Sequence, residues 1–182
     1  MSENTRTTIH VDGQGARLDV AMSATAPDAI HLRYRLHNTG DAPLAVFDRG
    51  DRQAVLSGRL VAGAVGAPTF QADGGDVVLR HAARDPAPGG FTGPTVPATP
   101  LALQLAPGAV LEGEFDFAIP TPQPPRRLRW CLGVAPLDEA GFFSPQDVAA
   151  GTLWQAHDEA VARQQMLCTP WWDLATGETA AD

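Results

Sequence analysis

The chain has 182 residues, a formal net charge of −8, 44% hydrophobic residues and 19% charged residues. That length and apolar share suit one globular domain with its own core rather than a disordered polyampholyte. The acidic excess excludes nucleic acid and anionic membrane as partners, because both require clustered positive charge. All 13 cationic side chains are arginines, which excludes a lysine Schiff base and a phosphate-loop lysine.

The first residues, Met-Ser-Glu-Asn-Thr-Arg-Thr-Thr, carry no apolar leader pattern, and the expected location is the cytoplasm. No run reaches the roughly 18 apolar residues of a membrane helix. Period-two alternation then predicts strands. Over 16–24 Leu18, Val20 and Met22 alternate with Arg17, Asp19 and Ala21. Over 30–37 Ile30, Leu32, Tyr34 and Leu36 form one face, and His31, Arg33, Arg35 and His37 form the other. Asn38-Thr39-Gly40-Asp41 is a turn, since Asn and Gly tolerate positive φ. Residues 43–48 read as the returning strand, so 30–48 is predicted to be a hairpin-like unit.

Arg49-Gly50-Asp51 matches a tripeptide that integrins bind, but within Asp48–Arg52 it reads as a charged turn. Residues 55–62 read as a weaker strand. Strands at 69–72 and 76–82 flank the Asp73-Gly74-Gly75 turn. From Arg84 to Pro100 the density of proline and glycine predicts a long loop, because proline lacks the donor that a sheet needs. Residues 101–105 alternate again, and Pro107-Gly108 turns the chain. Over 110–119 Leu111, Phe115, Phe117 and Ile119 face inward, while Glu112, Glu114 and Asp116 face outward. After a stiff Pro120–Pro125 connector, residues 127–135 put Leu128, Trp130, Leu132 and Val134 on one face.

Ser144-Pro145 with Asp147 reads as a cap, a first-turn proline and an acid, which predicts a short helix near residues 145–150. Residues 153–167 have helix-forming composition. Sheet logic nevertheless places Arg163–Cys168 as a strand beside 127–135, which would bring Cys131 and Cys168 close. Two reduced thiols are expected there, as in most cytosolic proteins. The domain is taken as 1–174, with 175–182 as a flexible tail.

These strands predict an all-β, two-sheet antiparallel, immunoglobulin-like β-sandwich. The run from Tyr34 to Phe47, with its Asn-x-Gly turn, and the Leu105-Ala106-Pro107-Gly108 corner before an acidic strand resemble the bacterial immunoglobulin-like class. Within it they are similar to the BsuPI-like intracellular proteinase inhibitors. The resemblance covers about 90 residues and implies protease inhibition through loops, with no inhibitory residue carried over.

No nucleophile elbow, zinc motif or calcium loop occurs, so no catalytic residue, metal or cofactor is expected. His31, Arg33, Arg35 and His37 form a candidate anion or ligand patch. His31 and His37 stand roughly 20 Å apart along an extended strand and cannot share one metal. Read more simply, the same four residues are a solvated face paired with acids such as Asp19. Arg84, Phe91, Trp171 and Trp172 form the candidate partner-binding surface, since aromatics and arginine dominate contact energetics. The alternative packs Trp171 or Trp172 back onto the sandwich. The expected activity is protein binding without catalysis, as an inhibitor or immunity-type protein. A second possibility is sugar or anion binding through Trp and Arg side chains, and a homodimer through a sheet edge is a further option.

Overall fold

A computed structural model of the chain describes residues 8–83 and 99–180. In chain order they form β1 (Thr8–Gly13), β2 (Ala16–Ala26), β3 (Ala29–Asn38), β4 (Leu44–Val46), α1 (Arg52–Leu56), β5 (Thr69–Asp73), β6 (Asp76–His81) and β7 (Leu101–Leu105). Then follow β8 (Val110–Ala118), β9 (Arg127–Pro136), β10 (Phe142–Val148), β11 (Gly151–Ala156), α2 (Asp158–Ala162), β12 (Gln165–Cys168), β13 (Trp171–Asp173) and β14 (Thr179–Ala180). No helix among the described residues is long and apolar enough to cross a membrane.

Two sheets result. The smaller has the order β1-β2-β3-β8, all antiparallel. The larger runs β10-β11-β7-β4-β9-β13-β14, with β12 and β6 also on β9 and β5 on β6. The sheets enclose the main core, in which Leu18, Val20, Ile30, Leu32 and Leu36 meet Val46, Leu79, Leu128, Trp130 and Leu132. A second apolar cluster includes Ala45, Phe47, Ala102, Ala135 and Phe142 with Ala160 and Val161 of α2. Neighbours on β4 thus alternate between the two clusters, so this strand is buried on both faces. Ala45 on its second face, with Ala102 and Ala135 on the strands either side, suits the close approach of other elements.

Several expectations are corrected. The 30–48 unit is not a hairpin, because β3 lies in the smaller sheet and β4 in the larger. Asn38 explains the crossing. Its buried amide donates to Ala42 O at 2.8 Å and Leu105 O at 3.0 Å, and its Oδ1 accepts from Gly40 N. The side chain therefore fastens the turn to the end of β7 rather than letting the chain fold back on β3. The antiparallel expectation fails for one pair, since β6 runs parallel to β9 from Asp76↔Arg127 to His81↔Leu132.

Residues 55–62 are no strand: α1 and turns occupy them. The helix expected near 145–150 is also absent, and β10 takes its place. The β10–β11 ladder shifts between Phe143 and Gln146, with Ser144 at φ 50°. Pro145 falls in that irregularity, where its missing N–H breaks no ladder bond. A Ser-Pro pair marks a bulge here, not a helix start. Of the stretch 163–168, Gln165–Cys168 form β12 on β9 as sheet logic expects, while Arg163 ends α2 and residues 153–156 belong to β11. Residues 175–180, expected as part of the tail, fold back so that β14 pairs with β13. The Asp173 carboxylate accepts from Ala175 N and Thr176 N at this turn.

Candidate functional site

Beyond β4 the chain does not make the solvated charged turn expected of Asp48–Arg52. Asp48 is fully buried and Arg49 only 5% exposed. They form the foot of a surface loop, residues 51–65, whose two ends touch. Gly66 N–H donates to Asp48 O at 2.9 Å. A Cβ on Gly66 would stand 3.0 Å from Gly50 N and 3.1 Å from its Cα, and Gly50 itself has φ 71°. Only glycine allows that backbone contact without displacement. A compact loop with neighbouring ends is an Ω-loop, a form often used for recognition.

Inside the loop, Asp51 caps α1 by accepting from Ala54 N at 2.8 Å. Replacing such a cap by Ala costs about 1 kcal/mol. Leu60 N–H returns to Ala54 O, and Ala64 N–H to Val61 O. The fold of the loop leaves Leu56 65% and Val61 78% exposed, the two most exposed large apolar residues among those described.

The foot is held by side chains from three strands. Arg49 Nε donates to Asp48 Oδ1 at 2.9 Å, and Arg49 Nη1 donates to Gly63 O at 2.8 Å. Tyr34 of β3 donates its hydroxyl to Asp48 Oδ2. His81 of β6 lies 2.7 Å from Gly66 O through Nε2, and its Nδ1 lies 3.0 Å from Trp130 Nε1 of β9. Indole nitrogen only donates, so Nδ1 must accept and the proton sits on Nε2, facing Gly66 O. Burial pushes the His81 pKa below the ordinary imidazole value, and this tautomer is neutral. Burial, reinforced by the Asp48 charge, pushes the Tyr34 hydroxyl well above the ordinary phenol range.

Tyr, Asp, Arg and His in one cluster suggest acid–base chemistry, but their polar atoms serve structure. Both His81 nitrogens have protein partners, and Arg49 and His81 each hold a loop carbonyl. The cleft beside His81, walled by Asp51, Arg80 and Pro100, is only about 70 Å³. That volume is small beside the roughly 300 Å³ at which ligand pockets begin.

The patch read from sequence lies on the outer face of the smaller sheet. The register sets Asp116 opposite His31, Glu114 opposite Arg33 and Glu112 opposite Arg35, with Asp19 on the other side of Arg35. His31 Nδ1 and Asp116 Oδ1 are 2.8 Å apart, and Arg33 Nε lies 3.4 Å from Glu114 Oε2. His37 sits opposite Arg17 and Val110. A groove of about 460 Å³ crosses this face, touching Arg33, Arg35, Asp19, Glu112 and Glu114. Three carboxylates line it against two guanidiniums, so it offers no net positive charge to an anion.

Trp172 does not belong to any exposed surface: it is 3% exposed and packs in the main core. Its place opposite Leu128 on β9 turns the ring inward. Trp171 is half-buried, with the guanidinium carbons of Arg127 and Arg129 4.8 and 4.7 Å from its ring centroid. Those cations occupy ring surface that a sugar would need for stacking. Trp154, also half-buried, donates to Gln104 Oε1. Arg84 and Phe91 lie outside the described residues. The expected thiol pair is corrected too, because Cys131 and Cys168 are joined as a disulfide. They are direct cross-strand partners of β9 and β12.

The 51–65 loop was hidden from sequence reading by its own apolar residues, which imitate a weak strand. The one local signal is Asp48-Arg49 directly after the apolar run 44–47, with no turn residue between them. A charged pair abutting a buried strand has to find partners inside. No family profile, curated protein or solved structure matches the chain.

Proposed function

We propose that this protein is a non-enzymatic binding module, an immunoglobulin-like sandwich that meets a protein partner through its 51–65 loop. One observation carries the reading. Buried Arg49 and His81 bind the carbonyls of Gly63 and Gly66 at the foot of a loop that presents Leu56 and Val61 to solvent. A loop fixed in advance loses little entropy on binding, so its apolar contacts translate into affinity. The net charge of −8 favours a basic partner and speeds encounter with it. An inhibitor or immunity-type role fits a small acidic module of this kind. The Cys131–Cys168 bond fits an oxidising compartment better than the cytoplasm.

The test is capture of a partner from host lysate by the full chain, compared with a Leu56→Ser/Val61→Ser variant and a Trp171→Ala variant. The reading expects one protein held by the wild type and by Trp171→Ala, and lost by the loop variant. Equal retention by the loop variant, or loss only with Trp171→Ala, would overturn it.

A further inference from the structure

The disulfide lies outside the main core cluster. Trp130, Leu132 and Leu167, its sequence neighbours, point into the main core, so alternation along β9 and β12 turns Cys131 and Cys168 to the outer face of the larger sheet. The bond joins two strands that are already paired from Gln165↔Val134 to Cys168↔Cys131. Thr169 N–H also donates to Trp130 O at 2.9 Å, directly beyond the bond. The ladder therefore holds the two sulfurs near each other with or without the covalent link.

Both cysteines line a cleft of about 600 Å³, walled also by Arg80, Thr69, Val161 and Met166. That volume lies within the range of about 300–1,000 Å³ typical of small-molecule clefts. Cys168 is half-buried, whereas Cys131 is 3% exposed. Arg80 of β6 is the register partner of Cys131 on that strand's parallel neighbour, and it is exposed. Among the described residues no carboxylate lies within 4.0 Å of its guanidinium.

We propose that Cys131–Cys168 is an exchangeable disulfide, opened in the folded protein by a low-molecular-weight anionic thiol that enters this cleft. The thiolate attacks Sγ of Cys168, the more accessible sulfur. A new S–S bond forms to the small thiol as the Cys131–Cys168 bond breaks, and the electron pair leaves on Sγ of Cys131. That thiolate forms beside the Arg80 cation, which lowers the leaving group's basicity and speeds departure. A second thiolate can then attack the sulfur of the bound small thiol, releasing a small-molecule disulfide and leaving Cys168 as thiolate. Two thiols are oxidised for each protein disulfide reduced. Arg80 also attracts the carboxylates of the incoming thiol.

The experiment uses the full chain with glutathione as the probe, quenched by alkylation and read by intact mass and peptide mapping. Far-ultraviolet circular dichroism follows the fold in parallel. The proposal expects opening at a rate first order in glutathione, unchanged by sub-denaturing urea, with the mixed disulfide on Cys168. Arg80→Gln slows opening by about threefold or more, and Arg80→Lys restores it. A rate independent of glutathione and accelerated by urea would show that the bond opens only on unfolding, and would overturn the proposal. An adduct on Cys131 would do the same, as would an Arg80→Gln rate equal to wild type.

Discussion

Two regions of this molecule set arginine beside carboxylate, and they differ in almost every consequence. On the outer face of the smaller sheet, Arg33 faces Glu114 with side chains 59% and 60% exposed. At the foot of the 51–65 loop, Arg49 meets Asp48 with side chains 6% and 0% exposed. Water screens the first pair, and its net contribution is small. The second pair has lost its hydration, so every donor and acceptor needs a protein partner. Tyr34, Gly63 O and the Asp48–Arg49 contact supply partners for both Asp48 oxygens and two of the Arg49 N–H groups. Identical side-chain chemistry thus decorates one region and organises the other.

The sharpest way to break the comparison is to remove one buried partner. Arg49→Ala leaves the Asp48 carboxylate and Gly63 O inside without their cation, and should destabilise the protein by about 3–5 kcal/mol in urea denaturation. Tyr34→Phe removes a single hydroxyl from Asp48 Oδ2 while keeping the ring against Trp130, 4.9 Å between centroids. The expected loss is about 1–3 kcal/mol by the same measurement.

Acidification tests the neutral state of His81. Its folded pKa lies below the ordinary value of 6.5, so below pH 6.5 the unfolded chain binds the proton that the native site refuses. The stability contribution is full above that pH and falls as the pH drops toward the folded pKa, at up to about 1.4 kcal/mol per pH unit. Urea midpoints between pH 7.5 and 5.5 should fall more steeply for the wild type than for His81→Gln; parallel curves would contradict the assignment. The smallest effect belongs to the exposed face. Arg33→Gln should change stability by less than about 0.5 kcal/mol, and added salt should erase most of that.

The same contrast explains what sequence could tell. Strands β2, β3 and β8 were legible because one face of each is wet, so alternation shows directly which residues point inward. The outward face of β3 is legible as polar, but not its pairing: Asp19 stands opposite Arg35 in register, while its carboxylate meets His10 and Arg17. Strand β4 is visible in the sequence but its sheet is not, since burial on both faces erases alternation and the role of Asn38 depends on Leu105, far along the chain. The foot of the loop was illegible for the same reason. Asp48 and Arg49 read as surface residues until Tyr34 and His81 from other strands, and Gly63 and Gly66 from the far end of the loop, are brought to them. Trp171 and Trp172 are adjacent in sequence, and only the register on β9 turns one inward and leaves the other at the surface.

The central claim is that a buried polar foot holds the 51–65 loop in one conformation, and native-state hydrogen exchange tests it most directly. The Gly66 amide, bonded to Asp48 O, should exchange as slowly as amides of the core strand β3 in the wild type, and markedly faster in Arg49→Ala under conditions where β3 stays protected. Rapid exchange at Gly66 in the wild type, or protection unchanged by the substitution, would contradict it.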